Sequence, residues 1–283
     1  MGQDSVLKFV YRGPSVPLIS YLKNVHLKDH SVKSIRRAID QKAAKINQRQ
    51  VIKANEILDD KCFVAFDLNR LKTHESIEIL FEDESILLIN KPSFLTSSQE
   101  EIEKRLKKPC KLCHRLDKET SGILVLAKTK HALESLEKQF FEHSIKKRYL
   151  ALVKSEKILP EKFLVNKRIA VQRKTDHQVV MHVHQNGMEA ETFFKIAKVN
   201  HPYYLLECFP KTGRTHQIRV HLKDKGAPIV GDLVYGRNGS DSGRFLLHAE
   251  SISFTHPESS KEMVISAKLP EDFKREIENK FRL

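Results

Sequence analysis

Two stretches of this chain set charged and proton-carrying side chains at spacings that could do chemistry. In HRLDKETSG, residues 114–122, the carboxylate of Asp117 lies among cations and just before the apolar run ILVLA. A carboxylate in a loop at the mouth of a sheet can serve as nucleophile, base or electrostatic partner. The same residues also read as a turn in which Arg115 and Asp117 form a surface pair of little energetic weight. In TGRTHQIRVHL, residues 212–222, Thr212 and Gly213 make a turn, and Thr215, Ile218 and Leu222 share one face of a following helix. Arg219 falls on a different stripe from the buried residues, one turn beyond Thr215 and His216. There its guanidinium either reaches into a cleft, taking a carboxylate or phosphate by two parallel hydrogen bonds, or snorkels to solvent. A third stretch, CKLCH at 110–114, fits the c-type haem attachment pattern. Nothing in the sequence signals a further axial ligand, and Cys62 and Cys208 are too isolated to complete a zinc site, so the match reads as accidental.

The elements that must position these groups are mostly strands. ESIEILFEDESILLINKP gives two extended runs around a Glu82-Asp83 turn, and SGILVLA suits a buried strand. A helix over about 130–143 carries apolar Leu133, Leu136, Phe140 and Phe141, and alternating strands follow in RYLALV, ETFFKIAKV, YYLLECF, RFLLHAESISF and MVISA. Pro270-Glu271-Asp272 opens a terminal helix. Helices are interspersed irregularly, which predicts an α+β fold on a largely antiparallel mixed sheet with flanking helices. The segment 1–72 reads separately as a small α/β unit. Ser31 or Ser34 caps a helix with Ile35, Ala38 and Ile39 on its apolar stripe; Ile46, Val51 and Ile52 lie in extended runs, and Val64 and Phe66 alternate in a strand. Arg36, Arg37, Lys42, Lys45, Arg49 and Lys53 give it a positive face, or an ordinary solvated one. The expected boundary is 1–72 and 73–283, with a short linker around 68–75.

The chain has 283 residues, 40% of them hydrophobic, and Lys and Arg outnumber Asp and Glu by 50 to 36, a formal charge of +14. That surplus favours a polyanionic partner, because neutralised phosphates release counterions. No apolar run approaches the roughly 20 residues of a membrane helix, so no membrane association is expected. Four cysteines without a secretory signal predict free thiols and a cytoplasmic location.

Taken together, the two stretches resemble the RluA-type pseudouridine synthases. HRLDKETSG is similar to that family's signature around its catalytic aspartate, which falls on Asp117. KRYLALV at 147–153 matches its second motif and places the active-site tyrosine at Tyr149. PKTGRTHQIRVHL at 210–222, GAPIVGDLVYG at 226–236 and FLLHA at 245–249 follow in the family's order. The resemblance covers about 75–255. Residues 16–67 are similar, more weakly, to the S-four-like RNA-binding module that often precedes this catalytic domain. Two departures stand out. After Asn90-Lys91-Pro92 the chain has SFLTSS where a glycine and a histidine are usual, and the first unit has Gln48-Arg49-Gln50 where its turn usually has glycine.

The resemblance implies a monomeric enzyme that isomerises uridine to pseudouridine in RNA without metal or other cofactor. The glycosidic bond breaks, the base turns and carbon-5 rejoins the sugar. Asp117, Tyr149 and Arg219 are the expected catalytic residues. The carboxylate attacks the anomeric carbon or removes a sugar proton, Arg219 fixes its direction, and Tyr149 offers a flat face and a phenol. His114, Arg115, Arg214 and Leu246 are expected to serve a flipped-out nucleotide, touching phosphate or holding the loop; His216, His221 and His248 read as structural. By association the RNA is ribosomal, from the large subunit, with transfer RNA as the alternative. A non-catalytic RNA-binding protein and a base-removing glycosylase are the other classes this scaffold could serve.

Overall fold

The computed structural model describes residues 6–51, 53–71, 77–175, 179–236 and 244–281. The chain divides into two compact units, Met1–Ser76 with Gly239–Arg244, and Ile77–Asn238 with Phe245–Leu283. The boundary expected near 72 lies outside the described residues, as does Ile52.

In the first unit the helix Val32–Asp40 is capped by the Ser31 hydroxyl, which accepts from the Ser34 N–H, and it buries Ile35, Ala38 and Ile39. These pack against Ile46, Val51, Val64 and Phe66 in one core. Phe63–Asp67 sits within a four-stranded antiparallel sheet beside Val6–Val10 and Ala44–Ile46, with Arg49–Gln50 at the edge. Asn47 and Gln48 make the hairpin turn at positive φ, 47° and 65°. The turn therefore closes without its usual glycine, and Asn47 Oδ1 steadies it by accepting from the Phe63 N–H at 2.8 Å.

The second unit is built on a ten-stranded sheet. Its main path runs Lys162–Asn166, Glu191–Asn200, Tyr203–Pro210, Lys146–Lys154, Leu247–Thr255, Ser121–Ala127, Ile86–Lys91 and Glu78–Glu82. All described pairings in it are antiparallel except one: Ser121 and Gly122 run parallel to His248 and Ala249. Ser121–Ala127 is buried at every residue, as an uninterrupted apolar run at the centre of a sheet covered on both faces should be. The helix Lys130–Phe141 buries Ala132 and Leu136 and packs Leu133 and Phe140 against one core, whereas Phe141, expected on the apolar stripe, is 85% exposed. The helix Glu271–Phe281 packs Phe273 and Ile277 against another. Among the described residues no helix is long and apolar enough to cross a membrane.

The parallel crossing constrains one residue tightly. Gly122 has φ +110°, and a Cβ there would fall 2.1 Å from the carbonyl oxygen of Ala249. Any side chain would both strain the backbone and push the two central strands apart. Gly122→Ala should therefore cost roughly 3 kcal/mol or more of stability; a melting temperature equal to wild type would contradict this.

Candidate active site

Asp117 lies in the turn between the short strand Lys111–Leu112 and the buried strand Ser121–Ala127, where its carbonyl accepts from the Thr120 N–H. The loop is pinned on both sides of it. The Ser97 hydroxyl donates to Leu116 O and accepts from Leu116 N–H. The buried Lys91 ammonium donates to the carbonyls of Pro92, Leu95 and Lys118, binding the segment after Asn90-Lys91-Pro92 to the Asp117 loop. In that segment Phe94 takes φ +66°, so the bend forms although the residue is not glycine. Glu119 accepts from the Phe245 N–H at 3.1 Å. A loop held at this many points keeps its carboxylate in one direction, which lowers the cost of reaching a reactive geometry.

Arg219 is on the helix Gln217–Asp224, and the sequence placed it wrongly on a less buried stripe. It is 4% exposed, because almost the whole first two turns of this helix are inside the protein. Thr215 lies before the helix and is exposed. The turn into the helix is fixed by Gln217, whose amide donates to Glu191 O and Thr192 Oγ1 and accepts from Thr212 Oγ1 and Arg214 N–H. Asp232 holds the guanidinium through two bonds, Nε to Oδ2 at 2.7 Å and Nη2 to Oδ1 at 3.1 Å. The rings of Phe245 and Tyr235 lie against it at 4.2 and 4.9 Å. What remains is Nη1, which donates to Asp117 Oδ2 at 2.9 Å. Burial alone would disfavour the guanidinium's charge; hydrogen bonds and charge from Asp232, then Asp117, reverse this and raise its pKa. Burial likewise opposes ionisation of Asp232, but Arg219 and the N–H groups of Val234 and Tyr235 carry its pKa below the ordinary value. Asp117 thus pairs with Arg219 rather than Arg115, and its side chain stays 23% exposed.

A cleft opens over this carboxylate, lined by Arg115, Asp117, Lys147, Tyr149, Arg214 and His216 among others. Tyr149 is on the strand Lys146–Lys154, where the register with Leu247–Thr255 shifts between Arg148 and Tyr149. Burial, with a smaller contribution from the Asp117 charge, raises the phenol pKa well above its ordinary value, so the hydroxyl keeps its proton. Arg214 is tethered through Nε to Glu189 O at 3.0 Å, and Arg115 is exposed at the mouth.

Two of the expected binding residues do not line the cleft. His114 packs on the Phe140 ring and accepts the Val125 N–H at Nε2, 3.0 Å away. Burial, chiefly, pushes its pKa down to about 3, so it is a neutral brace of the loop. Leu246 is fully buried in the core beneath Phe273 and Ile277, and its neighbour Leu247 lines the cleft instead. Successive strand side chains face opposite ways, and three apolar residues in a row hide which of them faces the cleft. Cys110 and Cys113 are buried, the latter thiol pushed up to about 12 by burial; both contribute to packing.

Four participants escaped the sequence reading: Asp232, Tyr235, Lys147 and His216. Gly231-Asp232 before a turn was a legible signal, since Asp232 Oδ1 accepts from the two N–H groups that follow. His216 was read as structural but lies in the cleft, its Nε2 3.9 Å from Asp117 Oδ1. The Tyr235 hydroxyl accepts the Met181 N–H at 2.9 Å and shares a hydrogen bond of 2.8 Å with His216 Nδ1. Burial lowers the His216 pKa despite the charge of Asp117, keeping the ring neutral. His221 and His248 are buried on Thr192 and Ser121.

Comparison with known proteins gives a consistent set of relatives. The family model described as RNA pseudouridylate synthase matches residues 85–224. Ribosomal large subunit pseudouridine synthase C of Buchnera aphidicola subsp. Acyrthosiphon pisum is 37% identical over 77% of this chain and 75% of its own length. The protein of the same name from Vibrio vulnificus is 31% identical over 92% and 91%. Among solved structures, human RNA pseudouridylate synthase domain containing 4 superposes with a TM-score of 0.60 at 26% identity, covering 72% of this chain and 93% of that one.

Proposed function

Because the chain belongs to the RluA-type RNA pseudouridine synthase family, we propose that it isomerises uridines of large-subunit ribosomal RNA with Asp117, Arg219 and Tyr149 as its catalytic residues. One observation carries the assignment of residues. The Asp117 carboxylate is open to the cleft while Arg219 behind it is clamped by Asp232. The reaction exchanges the C1′–N1 bond of the nucleotide for C1′–C5; carbon-5 loses a proton, N1 gains one, and no electrons are transferred. Asp117 presents its charge to the sugar. Tyr149 supplies a flat wall to the uracil and a phenol that stays protonated. Arg115 and Arg214 at the mouth meet the phosphates of a flipped-out nucleotide. His114 supports the loop from behind. In this reading the first unit is an S-four-like module that adds a second RNA-holding surface, through exposed cations such as Arg36 and Lys53.

The ribosomal target is supported by relatives that are ribosomal large subunit pseudouridine synthases. It is tested by mapping pseudouridine across cellular RNA with and without the gene. Sites in large-subunit ribosomal RNA should disappear. Loss confined to transfer RNA would overturn the ribosomal assignment. Release of free uracil from RNA by the purified protein would replace the isomerase with a glycosylase.

A further inference from the structure

A second depression of about 500 Å³ adjoins the cleft and shares Lys147 and Pro210 with it as a common rim. Its apolar part is an aromatic pair. Phe193 and Phe209 are direct partners on adjacent antiparallel strands, with ring centroids 6.0 Å apart. Their neighbours Phe194 and Cys208 are fully buried in the core, so alternation turns the two phenyl rings to the other face. Phe193 is 38% exposed. An open phenylalanine pair among cations matches what single-stranded RNA needs: a stacking platform beside positive charge.

The charges decide what can lie there. Lys211 is paired with Glu191, and Arg148 with Glu207 and Glu250. Lys146 and Lys147 make no ion pair among the described residues. Among the described residues the Lys147 ammonium donates to a neutral carbonyl, Thr212 O, at 3.2 Å. Lys147 lines both cleft and groove and Lys146 the groove alone, so a phosphodiester that runs from a nucleotide over Asp117 into the groove crosses Lys147.

We propose that this groove is a subsite for the nucleotide next to the target uridine, its base stacked on Phe193 and Phe209 and its phosphate held by Lys146 and Lys147. The proposal rests on the uridine-isomerising reading of the cleft. It makes the enzyme sensitive to whether the flanking nucleotide is unpaired.

The test uses the full chain and a fluorescein-labelled oligouridylate. Phe193→Ala, and Phe193→Leu as a variant that keeps apolar volume without the ring, should each raise Kd about tenfold. Phe141→Ala, an equally simple loss of an exposed ring elsewhere, should leave Kd unchanged. Irradiation of the wild-type complex with 5-iodouridine in the strand should cross-link Phe193 or Phe209. A rise in Kd of less than threefold in both Phe193 variants, or cross-links absent from both rings, overturns the subsite and leaves the groove to a protein partner. The two readings fail separately. Wild type that makes pseudouridine while Phe193→Leu binds normally removes the groove alone. Wild type that makes none, with oligouridylate affinity still dependent on Phe193, removes the isomerase alone.

Discussion

Asp117→Asn is expected to reduce turnover to below about one per cent of wild type, a barrier increase of about 2.7 kcal/mol or more, while the protein folds and binds RNA normally. The amide keeps the shape of the carboxylate and its contact with Arg219 but cannot supply negative charge to the sugar. The structure gives a reason why this variant should fold. Removing one partner of a buried ion pair is usually costly, because it strands the other charge. Here Arg219 keeps both bonds to Asp232, so stability should stay within about 1 kcal/mol of wild type. The Asp117 side chain is also the more exposed of the two carboxylates, 23% against 1% for Asp232. Single-turnover tritium release from RNA carrying 5-tritiated uridine measures the loss, and thermal melting measures the fold. Turnover above one per cent in a folded variant would move the reaction's centre away from Asp117.

Arg219→Lys should lose at least about a hundredfold in turnover although its charge is conserved, a barrier increase of about 2.7 kcal/mol. All three guanidinium nitrogens are in use: Nε and Nη2 grip Asp232 while Nη1 reaches Asp117. A lysine ammonium on a flexible stem cannot span both carboxylates in these directions. It either pairs with Asp232 and leaves Asp117 undirected, or reaches Asp117 and strands a buried charge. The second cost falls on the fold, so this variant, unlike Asp117→Asn, should also lose roughly 2–4 kcal/mol of stability. Activity within tenfold of wild type would mean that Arg219 acts only as diffuse positive charge. Normal stability with severe inactivity would mean that Asp232 does not depend on the fork.

The different behaviour expected of these two variants reflects how much each position could be read locally. The role expected of the Asp117 carboxylate came from the family resemblance and not from its neighbours; the loop that carries it was legible locally, from a turn followed by Ser121-Gly122 and an apolar run that suits a buried strand. The capped helix after Ser31 and the stripe of Ile35, Ala38 and Ile39 were legible for the same reason, since caps and periodicity act within a few residues. The antiparallel character of the sheet followed from the irregular mixture of strands and helices.

Tertiary structure decided the rest, wherever the deciding partner is far away along the chain. Arg219 and Asp117 are 102 residues apart. Helical periodicity put Arg219 on a less buried stripe, but the helix Gln217–Asp224 is enclosed on nearly every side and burial no longer follows one stripe. The Asp232 fork makes that burial tolerable for a guanidinium. Phe245, Leu246 and Leu247 are all apolar, so no alternation marked which would face the cleft, and packing beneath Phe273 and Ile277 chose Leu246 for the core. His216 carries no local sign of its place; its Nδ1 partner is a tyrosine 19 residues on that is itself held by the Met181 amide. Local composition determined which groups are present and on what elements. Only long-range packing could determine which of them meet, because hydrogen-bond direction and desolvation depend on partners that sequence neighbourhood does not contain.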